Sequence, residues 1–290
     1  MTTEPTVVRF PDDPSYRADP GFNFSKIKQA IEGSMADLRY DLDHGPEFKP
    51  TPAMQLGTLV HHMVLEPLSD WMDEYAVTYA TDRRTKLYKL AKQQADEAGK
   101  TLIPASVKEQ AAAMSQAVFG NRFFKALMQR DHEAEVGMAY DDVALGLRLK
   151  GKYDLLVNDS AMVDLKTTSE RLDVDHLSKV IVSRHYHVQQ ALYWRILRHV
   201  RPELCEHPTH MGWMFVRSVG AHDTVLVWAD EEIVAHAEAE LDHLLSRLSR
   251  AHTSGDWPGQ YPKGVVTASL PRWAKIREPA LPSNLTALPS

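Results

Sequence analysis

The chain is nearly free of cysteine. Cys205 stands alone among 290 residues, which excludes an intrachain disulfide framework and cysteine-rich zinc or iron–sulfur centres. A lone thiol fits a reducing, cytoplasmic setting. Long apolar runs are also missing. None approaches the roughly 20 residues that cross a bilayer, so no membrane partner is expected. The opening MTTEPTVVRFPDDP has neither a basic n-region nor an apolar h-region, and no secretory signal is expected from it. Excess positive charge is lacking too. A formal net charge of −6 argues against a non-specific nucleic-acid coat protein but leaves room for an enzyme with a local basic groove. There are no repeats or low-complexity tracts, and the fourteen histidines are scattered without an H-E-x-x-H pattern.

What is present is ordinary globular composition, 43% hydrophobic and 25% charged, enough for one large domain or two small ones. Residues 1–22 are rich in proline and aspartate and are expected to be poorly ordered. From there helical spacing dominates. Asn23 or Ser25 can cap a helix running to about Tyr40. After the loop at 44–52, Pro52 suits the first turn of a helix ending near Pro67. Residues 81–100 read as a helix stopped by Gly99, and Pro104 opens a longer helical region. The period then changes: 133–141, 145–157 and 161–167 read as three strands. A helix over 185–200, strands over 209–218 and 222–229, and a strongly periodic helix over 230–252 follow. The order predicts an α/β fold with a central mixed sheet flanked by helices. One domain is expected over 23–290, with a helical part (23–130), an α/β core (131–252) and an irregular tail (253–290).

The second and third strands carry an unusual set of charges. If Asn158, Asp159 and Ser160 form a three-residue hairpin loop, Asp154 lies opposite Asp164 and Lys152 opposite Lys166. Their Cβ atoms would then be about 4.5–5.5 Å apart. Period-two alternation keeps these four on one face and gives the other face Leu155, Val157, Val163 and Leu165. A one-residue slip would separate the aspartates. Two opposed carboxylates repel, and Mg²⁺ (or Mn²⁺) relieves the conflict. It takes hard oxygen ligands, keeps several waters and can activate one of them for attack on phosphorus. Lys166 would orient the nucleophile or stabilise charge developing on the phosphate. The alternative is a surface lattice of ion pairs, each contributing little. Arg148, Lys150 and Lys152 alternate toward the same face as Asp154 and would continue it as a phosphate track. Glu135, at the start of the first strand, either approaches the metal or is a solvated strand acid, and the second reading is favoured.

The stretch GKYDLLVNDSAMVDLKTT (151–168) resembles the active-site hairpin of the PD-(D/E)XK nuclease superfamily, and the chain more specifically resembles RecE (exonuclease VIII)-like exodeoxyribonucleases. Four further stretches match in order: GTLVHHMVLEP (57–67) for the G-x-x-x-H helix, DRRTK (82–86), QQALY (189–193) for Q-x-x-x-Y, and LPRWAK (270–275) for the Pro-x-Trp ending. Tyr153-Asp154 stands where the superfamily name has Pro-Asp. The resemblance implies a metal held by His61, not His62, with Asp154, Asp164 and the Leu165 carbonyl. It implies Lys166 as the catalytic lysine, and Gln189 and Tyr193 steadying the site or touching DNA. Arg83, Arg84 and Lys86 are either a solvated charge run or, beside such a site, phosphate contacts. The resemblance further implies 5′→3′ resection of double-stranded DNA ends, a homo-oligomer, a single-strand annealing protein as recombination partner, and a phage or prophage gene acting in the bacterial cytoplasm. An endonuclease or nickase on the same scaffold, and a non-catalytic DNA-binding protein on a decayed nuclease fold, are the rival readings.

Overall fold

The computed structural model describes residues 6–45, 50–67, 71–158, 161–205, 210–261 and 264–271. Its elements in chain order are β1 (Val7–Arg9), α1 (Asp13–Ala18), α2 (Phe24–Glu32), α3 (Met35–His44), α4 (Pro52–Leu65), β2 (Tyr75–Thr78), α5 (Lys86–Glu97), β3 (Thr101–Pro104), α6 (Ala105–Gly120), α7 (Arg122–Met128), β4 (His132–Asp142), β5 (Leu147–Val157), β6 (Ala161–Thr168), α8 (Val174–Ser183), α9 (Tyr186–Val200), β7 (His210–Arg217), β8 (Thr224–Trp228) and α10 (Glu231–Ser254). Six strands form one sheet in the order β1-β4-β5-β6-β7-β8, and β2 and β3 form a small parallel pair. The β6–β7 ladder is parallel and the other ladders of the large sheet are antiparallel. The fold is therefore α/β with a central mixed sheet flanked by helices, as the sequence predicts.

The sheet separates two cores. On one face Met138, Tyr140, Leu149, Tyr153, Leu156 and Met162 pack against α2, α9 and α10. On the other, Leu155, Val157, Val163 and Leu165 pack against α4 and α6. Side chains along β5 should alternate between faces, yet Tyr153 and Leu155 belong to opposite cores. In β4, Val136 lies in the first core while Ala134 packs against the second. Both strands change face at one level, between Ala134 and Val136 and between Tyr153 and Leu155. Glu135 sits at that level with φ +54, a left-handed conformation seldom adopted by a non-glycine residue.

Several sequence expectations are corrected here. The expected helix from Asn23 to Tyr40 is two helices. Gly33 ends the first, and the Ser34 hydroxyl accepts the Asp37 N–H at 3.1 Å to start the second. The region after Pro104 breaks at Asn121, whose side chain caps α7 through the N–H groups of Phe123 and Phe124. Residues 81–85 precede α5 instead of belonging to it. Helix α8 and strands β2 and β3 were not anticipated. The expected disorder of residues 1–22 fails over the described part. There β1 pairs with β4, and α1 buries Tyr16. Gly137 makes this possible, since a Cβ there would come within 2.9 Å of the Tyr16 ring. Asp159, Ser160 and Trp273 lie outside the described residues.

Gly151 admits α9 to the sheet: a Cβ at this position would approach Tyr193 Cδ1 to 2.7 Å and Ile196 Cδ1 to 3.2 Å. Gly151→Ala is expected to destabilise the protein by about 1–3 kcal/mol through overpacking, read as a lower urea midpoint. An unchanged midpoint would show that α9 does not lie this close to β5.

Candidate active site

The hairpin of β5 and β6 has the register expected of a three-residue loop: Val157 pairs with Ala161, Leu156 with Met162 and Leu155 with Val163. The ladder stops there, one residue short of the two aspartates. Beyond it β6 follows β7, pairing as far as Thr168 with Arg217. The vacated edge of β5 is taken by Phe22, whose N–H donates to the Arg148 carbonyl at 2.7 Å and whose carbonyl accepts from Lys150 N–H at 3.0 Å. The strands thus part at Asp154 and Asp164. Asp154 Oδ2 spans part of the gap by accepting the Leu165 N–H at 2.8 Å.

Helix α4 brings His61 to this gap. Thr51 caps the helix and Pro52 occupies its first turn. Gly57 faces Thr167 of β6, where a Cβ would stand 3.1 Å from Oγ1. This close approach sets His61, one turn later, with Nδ1 3.5 Å from Asp154 Oδ2, while the neighbouring His62 faces Glu66. His61, Glu135 and Asp154 each offer a ligand atom within 4.8 Å of the others. Glu135 is therefore not a solvated strand acid: its side chain is 17% exposed and joins the trio. The sequence favours the solvated reading because a lone glutamate at a strand end carries no motif. The unusual φ that turns it inward has no sequence signature.

Asp164 stands beside this trio and is 2% exposed. Gln189 Nε2 donates to its Oδ1 at 3.0 Å and to the Tyr193 hydroxyl at 3.1 Å. Lys166 Nζ pairs with Asp164 Oδ2, donates to Gln189 Oε1 at 3.1 Å and lies 4.5 Å from the centre of the Tyr186 ring. The Gln189 amide thus contacts the acid through one end and the lysine through the other, which explains a glutamine at this place on α9. Tyr153 donates to the Tyr193 carbonyl at 2.6 Å and fixes the helix behind it. The structure brings His61, Asp154, Asp164, Leu165, Lys166, Gln189 and Tyr193 together.

The electrostatics are those of crowded acids. Burial, then the carboxylates of Asp164 and Glu135, hold the Asp154 carboxyl well above the usual range. Burial works against charge on Lys166, but Asp164 and Asp154 outweigh it and keep the amine above the ordinary lysine value. Burial lowers the His61 imidazole, leaving it neutral and able to act as a ligand. One imidazole nitrogen among several carboxylate oxygens is a donor set suited to a divalent cation such as Mg²⁺ or Mn²⁺. Cavities of about 330 Å³, bordered by Phe10, Tyr16 and Glu135, and about 220 Å³, bordered by Leu56, Thr167 and Tyr186, flank the cluster.

The expected basic track is placed differently. Arg148 pairs with Asp19 and Asp141, each at 2.8 Å. Lys150 is 3% exposed and donates to the carbonyls of Tyr16 and Asp19 at 2.7 and 2.6 Å. Lys152 pairs with Asp13 at 2.9 Å and with Glu135 at 2.5 Å. The face change at Asp154 turns these three away from Lys166 and toward the N-terminal segment, which they hold down. Arg83, Arg84 and Lys86 are exposed ahead of and at the start of α5, with Arg84 paired to Asp82.

A mixed sheet whose central hairpin parts at two aspartates, with a lysine two residues after the second, places the chain in the PD-(D/E)XK nuclease-like class. The family described as a PDDEXK-like domain of unknown function (DUF3799) matches residues 23–263, and the chain belongs to it. A solved structure titled "Putative exonuclease", from Eubacterium rectale, is similar over 89% of this chain and 92% of that one, with a TM-score of 0.61 and 15% identity. A likeness at that identity speaks for the fold. No curated protein matches the chain.

The acid crowding has a sign that can be measured. An unfolded Asp154 titrates near the ordinary value of about 3.9, whereas the folded, metal-free form keeps its proton to higher pH. Folded protein therefore binds more protons than unfolded across that window, and stability declines as pH rises through it. In chelator, resistance to urea is expected to fall as pH rises from the ordinary carboxylate range upward. Asp154→Asn should flatten that slope and be more stable by about 0.5–2 kcal/mol at the upper end. An Asp154→Asn slope equal to wild type would contradict the crowding.

Proposed function

We propose that the protein is a divalent-metal-dependent exodeoxyribonuclease that resects double-stranded DNA ends 5′→3′. The observation that carries this reading is the convergence of His61, Glu135 and Asp154 beside the Asp164–Lys166–Gln189 network, at the point where β5 and β6 part. His61, Asp154, Asp164 and the Leu165 carbonyl would hold the ion, with Glu135 added to the set the sequence suggests. The ion, when bound, supplies charge neutralisation and water activation. Lys166, held cationic by its acidic neighbours, orients the attacking oxygen or neutralises charge developing on the scissile phosphate. Gln189 keeps both the acid and the lysine in place, and Tyr193 supports Gln189. Exposed Arg83, Arg84 and Lys86 are the basic residues suited to the DNA backbone. A homo-oligomer, a single-strand annealing partner and a phage-borne role in recombination in the bacterial cytoplasm belong to the same proposal. Among the described residues no helix is long and apolar enough to cross a membrane.

The retention of Asp154, Asp164 and Lys166 in one buried network favours catalysis over a decayed binding fold. Cleavage of an end-labelled linear duplex with no cleavage of a covalently closed circle, both in Mg²⁺ or Mn²⁺, is the expected result. Equal attack on the circle would favour an endonuclease. Release of a 5′ label as the first product supports the polarity. Lys166→Met should lower single-turnover cleavage by roughly 10²–10³-fold while calorimetric Mn²⁺ binding persists. Wild-type turnover in that variant would reduce the lysine to a structural ion pair.

A further inference from the structure

A second cluster of ligating side chains lies where the start of α9 meets α10, built from residues that the hydrolytic site does not use. His236 and Glu240 are one turn apart on α10, on one face of the helix. His187 lies in the first turn of α9 and is 1% exposed. Its Nε2 is 3.0 Å from Glu240 Oε2, and His236 Nε2 is 3.7 Å from the same oxygen. The two imidazole rings are parallel within 4°, with centroids 5.5 Å apart. The ligand atoms of His187, His236 and Glu240 all lie within 4.8 Å of one another.

The hydrogen-bond accounting of His187 points to a cation. Its Nδ1 lies 3.3 Å from the Ile181 carbonyl, and its Nε2 faces a carboxylate. The carbonyl accepts only, and so does the carboxylate when ionised. A cation at Nε2 would satisfy the ring nitrogen and the carboxylate together. A histidine that donates one N–H to a backbone carbonyl and turns its other nitrogen toward a metal is the usual second-sphere arrangement. His185 Nδ1, a buried nitrogen with no hydrogen-bond partner, faces the other oxygen of Glu240, Oε1, at 3.5 Å. Bonds of about 2.0–2.2 Å in a tetrahedral site put neighbouring ligand atoms roughly 3.3–3.6 Å apart. The observed 3.0 and 3.7 Å bracket that range.

We propose that His187, His236 and Glu240 form a second metal site, for Zn²⁺ or a related first-row transition ion, with His185 positioning Glu240. Two imidazoles and one carboxylate favour such an ion over Mg²⁺. Three protein ligands would leave a fourth position for water or another ligand, and His187 and His236 border a cavity of about 620 Å³ together with Val182, Glu232, Ile233 and Ala235. The ion joins α9 to α10 at the turn that precedes Gln189 by two residues. Its consequence is to fix the helix that supports Asp164 and Lys166.

The test uses the full chain carrying Asp154→Asn, so that an ion at the hydrolytic site does not enter the count and the proposal stands or falls apart from nuclease activity. After metal stripping, the protein is titrated with Zn²⁺ by calorimetry and with Co²⁺ by visible absorption. One equivalent of each is expected, with Co²⁺ giving the intense bands of a tetrahedral site. His236→Ala is on an exposed side chain, and near-ultraviolet circular dichroism checks its fold. It and Glu240→Gln should each weaken binding by more than the roughly 10–100-fold that loss of an outer-sphere partner costs, and His185→Ala by an amount within that range. Absence of a saturable equivalent in the Asp154→Asn protein, or undiminished binding by folded His236→Ala, would overturn the site.

Discussion

Glu135, Asp154 and Asp164 are drawn together by the path of the backbone, and their mutual repulsion is the constraint around which the centre of this molecule is arranged. β4 and β5, which carry Glu135 and Asp154, change face at this level, and β5 parts from β6, leaving Asp154 to accept a backbone N–H across the gap. Asp164 stays in the β6–β7 ladder opposite Trp213, and the other two carboxylates are brought to it. A fold selected for stability alone would not gather one buried acid and two half-buried ones in so small a space, with Lys152 and Lys166 as their cationic partners, since uncompensated buried charge is costly. The arrangement makes sense where a cation completes it, so that stability is given up locally for a site that binds and activates.

The parts around this centre act as supports. Gly57 lets α4 come close enough to deliver His61, and Gly151 lets α9 come close enough to deliver Gln189 and Tyr193. The N-terminal segment closes one side: Tyr16 covers Lys150, and Asp13 and Asp19 neutralise Lys152 and Arg148. Residues that look like a nucleic-acid track in the sequence are thus fasteners, and Lys152 also reaches Glu135, tying the segment to the acidic cluster. The exposed basic residues Arg83, Arg84 and Lys86 lie instead ahead of and at the start of α5, in a chain whose overall charge is negative.

Much of the site was legible in the sequence because its determinants are local. The loop length of the β5–β6 hairpin sets the register, and a spacing of ten residues then juxtaposes Asp154 and Asp164. Four-residue helical spacing sets Gln189 beneath Tyr193 and carries His61 one turn past Gly57. What was not legible depends on contacts distant in sequence or on backbone angles without a signature. The change of face at Glu135 and Asp154 reverses the simple period-two reading, so Arg148, Lys150 and Lys152 were assigned to the wrong side. The order in residues 7–18 comes from pairing with β4, more than a hundred residues away. The His187, His236 and Glu240 group joins two helices whose residues are too far apart in the chain to form a motif.

The central claim, that the parting of β5 and β6 builds a cation site, is tested most directly by anomalous diffraction from crystals soaked in Mn²⁺. A single strong Mn²⁺ peak among His61, Glu135, Asp154 and Asp164, lost in Asp154→Asn crystals soaked alike, is the predicted result. A soaked wild-type crystal with no density there, or with Mn²⁺ bound only elsewhere, would contradict it.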